Sequence, residues 1–68
     1  MTIVFNKQFY HLQAIKKAIE AYKELAVFNV KEKDNNIEID IDGVDKDVKD
    51  VIKDEFCNYV LAETKKFT

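Results

Sequence analysis

Hydrophobic and polar residues alternate along three short stretches of the chain, as they do in strands that bury one face. The stretches are Thr2–Asn6, 26–33 and Asn36–Asp42. The third is the most regular, because isoleucine occupies every second position from Ile37 to Ile41 and acidic residues lie between. We therefore predict three strands, each with a buried face and an exposed face.

The two residues at 34–35 predict a tight connection between the second and third strands. They are Asp and Asn, which tolerate positive φ and suit a primed two-residue turn. Such a turn pairs Val30 with Ile39 and Phe28 with Ile41, which places the apolar side chains of both strands on one face. The predicted unit is a β-hairpin in this register.

Apolar residues recur every three or four positions in two other stretches, the pattern of amphipathic helices. The first helix is predicted from about Leu12 to Leu25, with His11 as its N-cap and Asn6 as the alternative cap. The second is predicted to begin near Asp45 and to carry lysines in its last turn. Its apolar stripe comprises Val44, Val48, Val51, Ile52, Phe56, Tyr59 and Val60, widened by Cys57 and Leu61.

The resulting order, β-α-β-β-α, predicts one small α+β domain over residues 1–68. We expect two layers, a three-stranded mixed sheet with two helices on one of its faces. The first helix would cross right-handedly between parallel first and second strands. The third strand lies either outside the second or between the first and second, and the pattern leaves both positions open. The second face of the sheet should be open and mostly polar.

Charge narrows the range of partners. The 68 residues include eleven lysines, no arginine and thirteen acidic residues, for a net charge of −2. Without a basic surface or a bidentate guanidinium, we expect no nucleic-acid partner. Residues 1–33 hold six lysines and three glutamates (+3), whereas residues 34–68 hold five lysines and ten acids (−5), a split that suits an oppositely charged partner.

Apolar segments are all short, and this bears on location. None approaches the ~20 residues that span a membrane, and the apolar run at the N-terminus is too short for a signal peptide. We therefore expect a cytoplasmic protein without membrane association.

Catalytic and metal-binding residue sets are missing from the sequence. The chain has one His, one Cys and no Ser, whereas zinc needs three or four ligands. A calcium loop around Gly43 fails because Lys49 stands where a bidentate Glu is required. We predict no catalytic residue, no cofactor and no metal, and assign Cys57 to the core. A minimal enzyme using Cys57 and His11 is the competing hypothesis.

Six residues are candidate partner contacts, because each lies on the open sheet face, at the edge of an element or at the border of the helical stripe. They are Val4, Phe9, Val27, Glu55, Asn58 and Phe67. Val4 and Val27 would adjoin if the first and second strands pair, and would form an apolar spot among charges.

Three stretches of the chain resemble the D protein of His-Xaa-Ser peptide-maturation systems. They are Phe5 with the helix start 10–18, the strand Asn36–Asp42, and 55–61, which contains the family's Glu-Phe-x-Asn pattern. The resemblance implies an accessory protein that works beside radical-SAM enzymes on a ribosomal peptide and is not itself a catalyst. His11 departs from the family's capping Ser, no Arg follows in the last helix, and the C-terminus is shorter.

Two functions are therefore expected. The first is a non-catalytic accessory module that binds a protein or peptide partner, with the exposed sheet edges and open face as docking surfaces. The alternative is a structural homo-oligomer built on the open sheet face. Glu55 and Asn58 match the resembled family's pattern and are carried over only as packing or partner contacts.

Overall fold

The strands and helices follow the predicted order in the computed structural model, which describes residues 1–67. The elements are β1 (Thr2–Asn6), α1 (Leu12–Tyr22), β2 (Val27–Glu32), β3 (Asn36–Asp42), α2 (Lys49–Thr64) and a short 3₁₀ helix (Lys65–Phe67). Both helices pack on the same face of the sheet, since Phe56 of α2 contacts Phe5 and Phe28, and Ile15 of α1 belongs to the same core. The α+β class with two layers is confirmed.

β3 lies in the middle of the sheet and runs antiparallel to both neighbours. Of the two positions left open for the third strand, the one between the first and second strands is thus found. The prediction of a mixed sheet is wrong, because β1 and β2 run parallel to each other but do not pair. The central position leaves the three inward isoleucines of β3 between 0% and 2% exposed, whereas Val30 on the edge strand β2 is 41% exposed.

The hairpin register is confirmed, with Val30 opposite Ile39 and Phe28 opposite Ile41. The type of turn differs from the prediction. No non-glycine residue within 1–67 has positive φ, so residues 34–35 do not form a primed turn. The Lys33 amide donates to the Asn36 carbonyl at 2.8 Å and closes the connection without left-handed backbone, which L-residues adopt only at a cost.

One apolar core fills the space between the sheet and the helices. Its buried members are Ile3, Phe5, Ile15, Ala18, Ala26, Ile37, Ile39, Ile41, Phe56 and Val60. The outer strand β2 is covered least: Val30 shares the face of Ile39 yet is 41% exposed. The helices therefore shield β1 and β3 more fully than β2.

Both helices are shorter than predicted. α1 ends at Tyr22 rather than near Leu25, because the chain must turn within a few residues to enter β2. Leu25 closes this turn by donating its amide to the Tyr22 carbonyl, and its side chain is left 55% exposed.

α2 begins at Lys49, and the prediction of a start near Asp45 is wrong. The carbonyl of Asp45 accepts the amide of Val48 in a preceding turn, so Val48 becomes the N-cap although its side chain cannot accept a capping hydrogen bond. The predicted apolar stripe is also too wide. Its exposed members are Val48, Val51, Tyr59 and Leu61, whereas Ile52, Phe56 and Val60 are buried at four-residue spacing.

Gly43 is the one described residue with positive φ, at +72°, and it lets the chain leave β3 toward α2. A Cβ here would lie 3.8 Å from Cγ2 of Val27, an ordinary contact, so the conformation and not the space favours glycine.

Truncation of two residues that lie opposite each other, one on β3 and one on β2, tests whether the helices bury β3 more fully than β2. We expect Ile39→Ala to lower the free energy of unfolding by about 2–5 kcal/mol, because it opens a cavity at a fully buried site. Val30→Ala, directly opposite, should cost less than about 1 kcal/mol, since this side chain is already partly hydrated. Urea unfolding of both variants measures the difference. Equal losses would contradict the burial described for β2.

Candidate functional site

A cleft of about 130 Å³ lies between the β1–α1 loop and the C-terminal end of the fold. It brings together segments from opposite ends of the chain. Its lining residues are Lys7, Gln8, Phe9, Tyr10, His11, Thr64 and Phe67. Phe9 is 65% exposed and Phe67 is 43% exposed, so this small cleft presents two large aromatic side chains to solvent.

Asn6 organises the loop that forms one wall. Its side-chain Oδ1 accepts the amide of Gln8 at 2.8 Å, and its carbonyl accepts the amides of Phe9 and Tyr10 at 3.0 Å each. Tyr10 then packs edge-on against Phe5, with ring centroids 4.9 Å apart. Because Tyr10 points into the core, its neighbour Phe9 is left on the outside.

His11 joins this wall to the opposite one. Its backbone is extended and its Nδ1 accepts the amide of Gln13 at 3.1 Å, which confirms His11 as the N-cap of α1, whereas Asn6 is the last residue of β1. The backbone amide of His11 donates to Oγ1 of Thr64 at 3.4 Å. Its imidazole stacks on Phe67 with centroids 4.3 Å apart and planes 9° apart.

Glu63 anchors the second wall. It is 7% exposed and forms ion pairs with Lys66 at 2.5 Å and with Lys17 of α1 at 4.0 Å. The hydrogen bond from Lys66 lowers the pKa of Glu63, although burial works in the opposite direction, and the same bond raises the pKa of Lys66. The Lys17 ammonium also lies 5.8 Å from the ring centroid of Phe67, within reach of a cation–π contact.

The candidate contacts predicted from the sequence fall into separate groups. Phe9 and Phe67 meet at the cleft. Val4 and Val27 both lie exposed on the open sheet face, but the expectation that they adjoin is wrong because β3 separates their strands. Val4 is opposite Glu38, and Val27 is opposite Asp42 at the other end of β3.

Glu55 and Asn58 lie exposed on α2. Glu55 lies near the contact between the two helices, where the rings of Tyr22 and Tyr59 pack edge to face with their centroids 5.8 Å apart. Partial burial raises the pKa of Tyr22, and the negative charge of Glu55 raises it further. This carboxylate therefore borders a helix contact.

Cys57 is half-buried and packs against the core, as predicted. Desolvation raises the pKa of its thiol, so the reactive thiolate is less populated than in a free cysteine. An activated nucleophile requires the opposite shift, which weighs against the hypothesis of an enzyme built on Cys57 and His11.

Two residues of the cleft region, Glu63 and Thr64, are not among those singled out from the sequence. Their spacing from Phe56 and Val60 indicates burial. Thr64 continues the four-residue spacing of Phe56 and Val60, and Glu63 lies three residues after Val60, so both fall on the buried side of α2.

Within 1–67, no three His, Cys, Asp or Glu side chains are grouped so that they could hold a metal ion. Over the same residues, neither helix has the length and apolar character needed to cross a membrane.

Comparison of the chain with known family models, curated proteins and solved structures gives no match. The geometry of the cleft therefore carries the functional interpretation.

Two substitutions of His11 separate its cap from its ring stack. His11→Ala removes both, and we expect a loss of about 1–2 kcal/mol in the free energy of unfolding. His11→Ser keeps a capping oxygen and should lose about 1 kcal/mol less. Urea unfolding measures both variants. If both variants lose the same free energy of unfolding, the hydrogen bond from the Gln13 amide to residue 11 does not contribute to stability.

Acid should weaken the Glu63 anchor. Because the pKa of Glu63 is lower in the folded protein, its contribution is complete above the carboxyl value of the unfolded chain, about 4.3, and disappears as the pH falls through the folded value. We expect the wild type to be more stable than Glu63→Gln at neutral pH and the difference to vanish in acid. Unfolding midpoints across this range measure it.

Glu55→Gln is the matched control, because Glu55 is an exposed carboxylate of the same helix. This substitution should change the free energy of unfolding little at any of these pH values. A pH-independent gap between wild type and Glu63→Gln would contradict the ion-pair anchor.

Proposed function

We propose that this protein is a non-catalytic binding module that receives an apolar side chain of a protein or peptide partner in the cleft. The observation that carries the proposal is the meeting of Phe9 and Phe67, two exposed aromatic residues from opposite ends of the chain, in one concave site. Exposed aromatic side chains in a concave site are typical of protein contacts, where they dominate the binding energy.

The size of the cleft favours a side chain over a cofactor. Pockets for small molecules and cofactors are usually ~300–1,000 Å³. The volume here, about 130 Å³, is well below that range, but it accommodates one aliphatic or aromatic side chain. The partner's backbone would then lie along the polar rim, near the exposed Gln8.

Phe67 is held in place before any partner binds. His11 stacks on its ring, and the Lys17 ammonium lies near its centroid. Ordering a side chain on binding costs about 0.5–1.5 kcal/mol, and a ring already fixed avoids much of that loss. Phe67 therefore supports the proposal as a preformed anchor, with the more exposed Phe9 as the adaptable side of the site.

The resemblance to the D protein of His-Xaa-Ser systems supplies the partner class. We propose an accessory role in the maturation of a ribosomal peptide, in which the module docks the precursor peptide or the radical-SAM enzyme that modifies it. A cytoplasmic location, where such enzymes and their precursors meet, belongs to the same proposal. Nucleic acid remains the disfavoured partner because all basic residues are lysines and the net charge is negative.

The binding test uses two candidate partners, a radical-SAM enzyme of a His-Xaa-Ser system and the precursor peptide of that system. We expect one of them to bind in calorimetric titration, and Phe9→Ala and Phe67→Ala each to weaken binding by about tenfold or more, the loss typical of an interface anchor.

Leu25→Ala is the matched control, because Leu25 is an apolar side chain of similar exposure, 55%, outside the cleft. This variant should bind like the wild type. Absence of binding to both candidates would refute the maturation role. An equal loss for Leu25→Ala would refute the cleft as the docking site.

A further inference from the structure

The hydrogen bonds between β1 and β3 determine which backbone groups of β1 face outward, away from the sheet. The Ile41 amide donates to the Met1 carbonyl at 2.7 Å, the Met1 ammonium donates back to Ile41 at 3.2 Å, and the Lys7 amide donates to Asn35 at 3.0 Å. Odd-numbered residues of β1 therefore bond to β3. In an antiparallel ladder the alternate residues point the other way, so the backbone groups of the even-numbered residues face outward.

β2 also has an outward edge, but that edge is protected. The bond from Lys33 to Asn36 sets the same alternation, which turns the even-numbered residues of β2 outward. Lys31 lies within this strand and Lys33 directly after it. Lysines on an edge oppose strand addition, because a neighbouring strand would have to accommodate their charge. Lys7 likewise follows β1 directly, but no residue within Thr2–Asn6 is charged, whereas Lys31 lies within β2.

We propose that the outer edge of β1 binds a second copy of this chain, with the two β1 strands antiparallel about a two-fold axis at Val4. In this register Thr2 of each copy faces Asn6 of the other, and the five-residue strands overlap over their full length. The two sheets join into one sheet of six antiparallel strands. The inference is independent of the cleft and its proposed function.

Backbone bonding fits this register. Val4 of each copy exchanges both backbone hydrogen bonds with Val4 of the other, and each Asn6 amide donates to Thr2 of the second copy. The Asn6 carbonyl takes no part, because it already accepts the amides of Phe9 and Tyr10.

Side chains and charge favour a second copy as the occupant. Val4 is 56% exposed on the open face, and the two-fold axis brings it against Val4 of the other copy, so both lose apolar surface to water. Although each chain carries a net charge of −2, the paired segment Thr2–Asn6 is uncharged, and Lys7, which lies opposite Met1 of the other copy, is ion-paired with Glu32 of its own copy. The Thr2 hydroxyl already donates to Asp40, which keeps that carboxylate bonded within its own copy.

Sedimentation equilibrium of the full chain tests the dimer. We expect the mass to rise with concentration from 8.0 kDa toward twice that value. Val4→Lys and Val4→Glu should each weaken the dimer at least about tenfold, because two like charges then face each other at the axis. An equimolar mixture of these two variants should restore association, since Lys then faces Glu.

Val27→Lys is the matched control, a valine of similar exposure, 59%, on the same face but on β2. It should dimerise like the wild type. A constant mass of 8.0 kDa at millimolar protein would overturn the proposal, and so would a mixture that stays monomeric or an equal loss for Val27→Lys.

Amide hydrogen exchange of the wild type tests the same edge without any variant. Raising the protein concentration should slow exchange of the Val4 and Asn6 amides at least about tenfold and leave the Val30 and Glu32 amides of the β2 edge unchanged. Slowing at β2, or at neither edge, would overturn the assignment to β1.

Discussion

Burial of β3 under the two helices is the constraint on which the rest of the structure depends. Ile37, Ile39 and Ile41 supply a continuous apolar row that is almost fully removed from water. With this row in the centre of the sheet, β1 and β2 take the two sides. Their placement decides which backbone groups face outward, and leaves an uncharged edge on one side of the sheet and a lysine-bearing edge on the other.

The cleft is held together differently, by polar contacts at the margin of the core. Glu63 joins the end of α2 to α1 through Lys17, and His11 caps α1 through the Gln13 amide and stacks on Phe67. Interactions of this kind contribute about 1 kcal/mol or less each, far below the total for the core. The aromatic site can therefore loosen without loss of the fold, which suits a surface that must adapt to a partner.

Features that depend on short-range pattern were predictable from the sequence, and features that depend on long-range competition were not. The bounds of β1 and β3 and the hairpin register follow from period-two alternation, and the His11 cap follows from its position before an apolar repeat. The start of α2 was mispredicted because Asp45 resembles a cap, yet its carbonyl instead closes a turn. Strand order and the cleft unite distant segments, and Phe9 and Phe67 were recognised only singly, as apolar residues outside the stripes.

The central position of β3 also governs the order of events during synthesis. β1 leaves the ribosome first, but its only partner in the sheet follows about 30 residues later, after α1 and β2. The β2–β3 hairpin closes locally and rapidly, whereas the β1–β3 ladder must close a much longer loop. For that interval β3 has an open edge and an uncovered isoleucine row. Docking of β1 closes this edge, and packing of α2, which follows β3 along the chain, completes the cover of the isoleucine row.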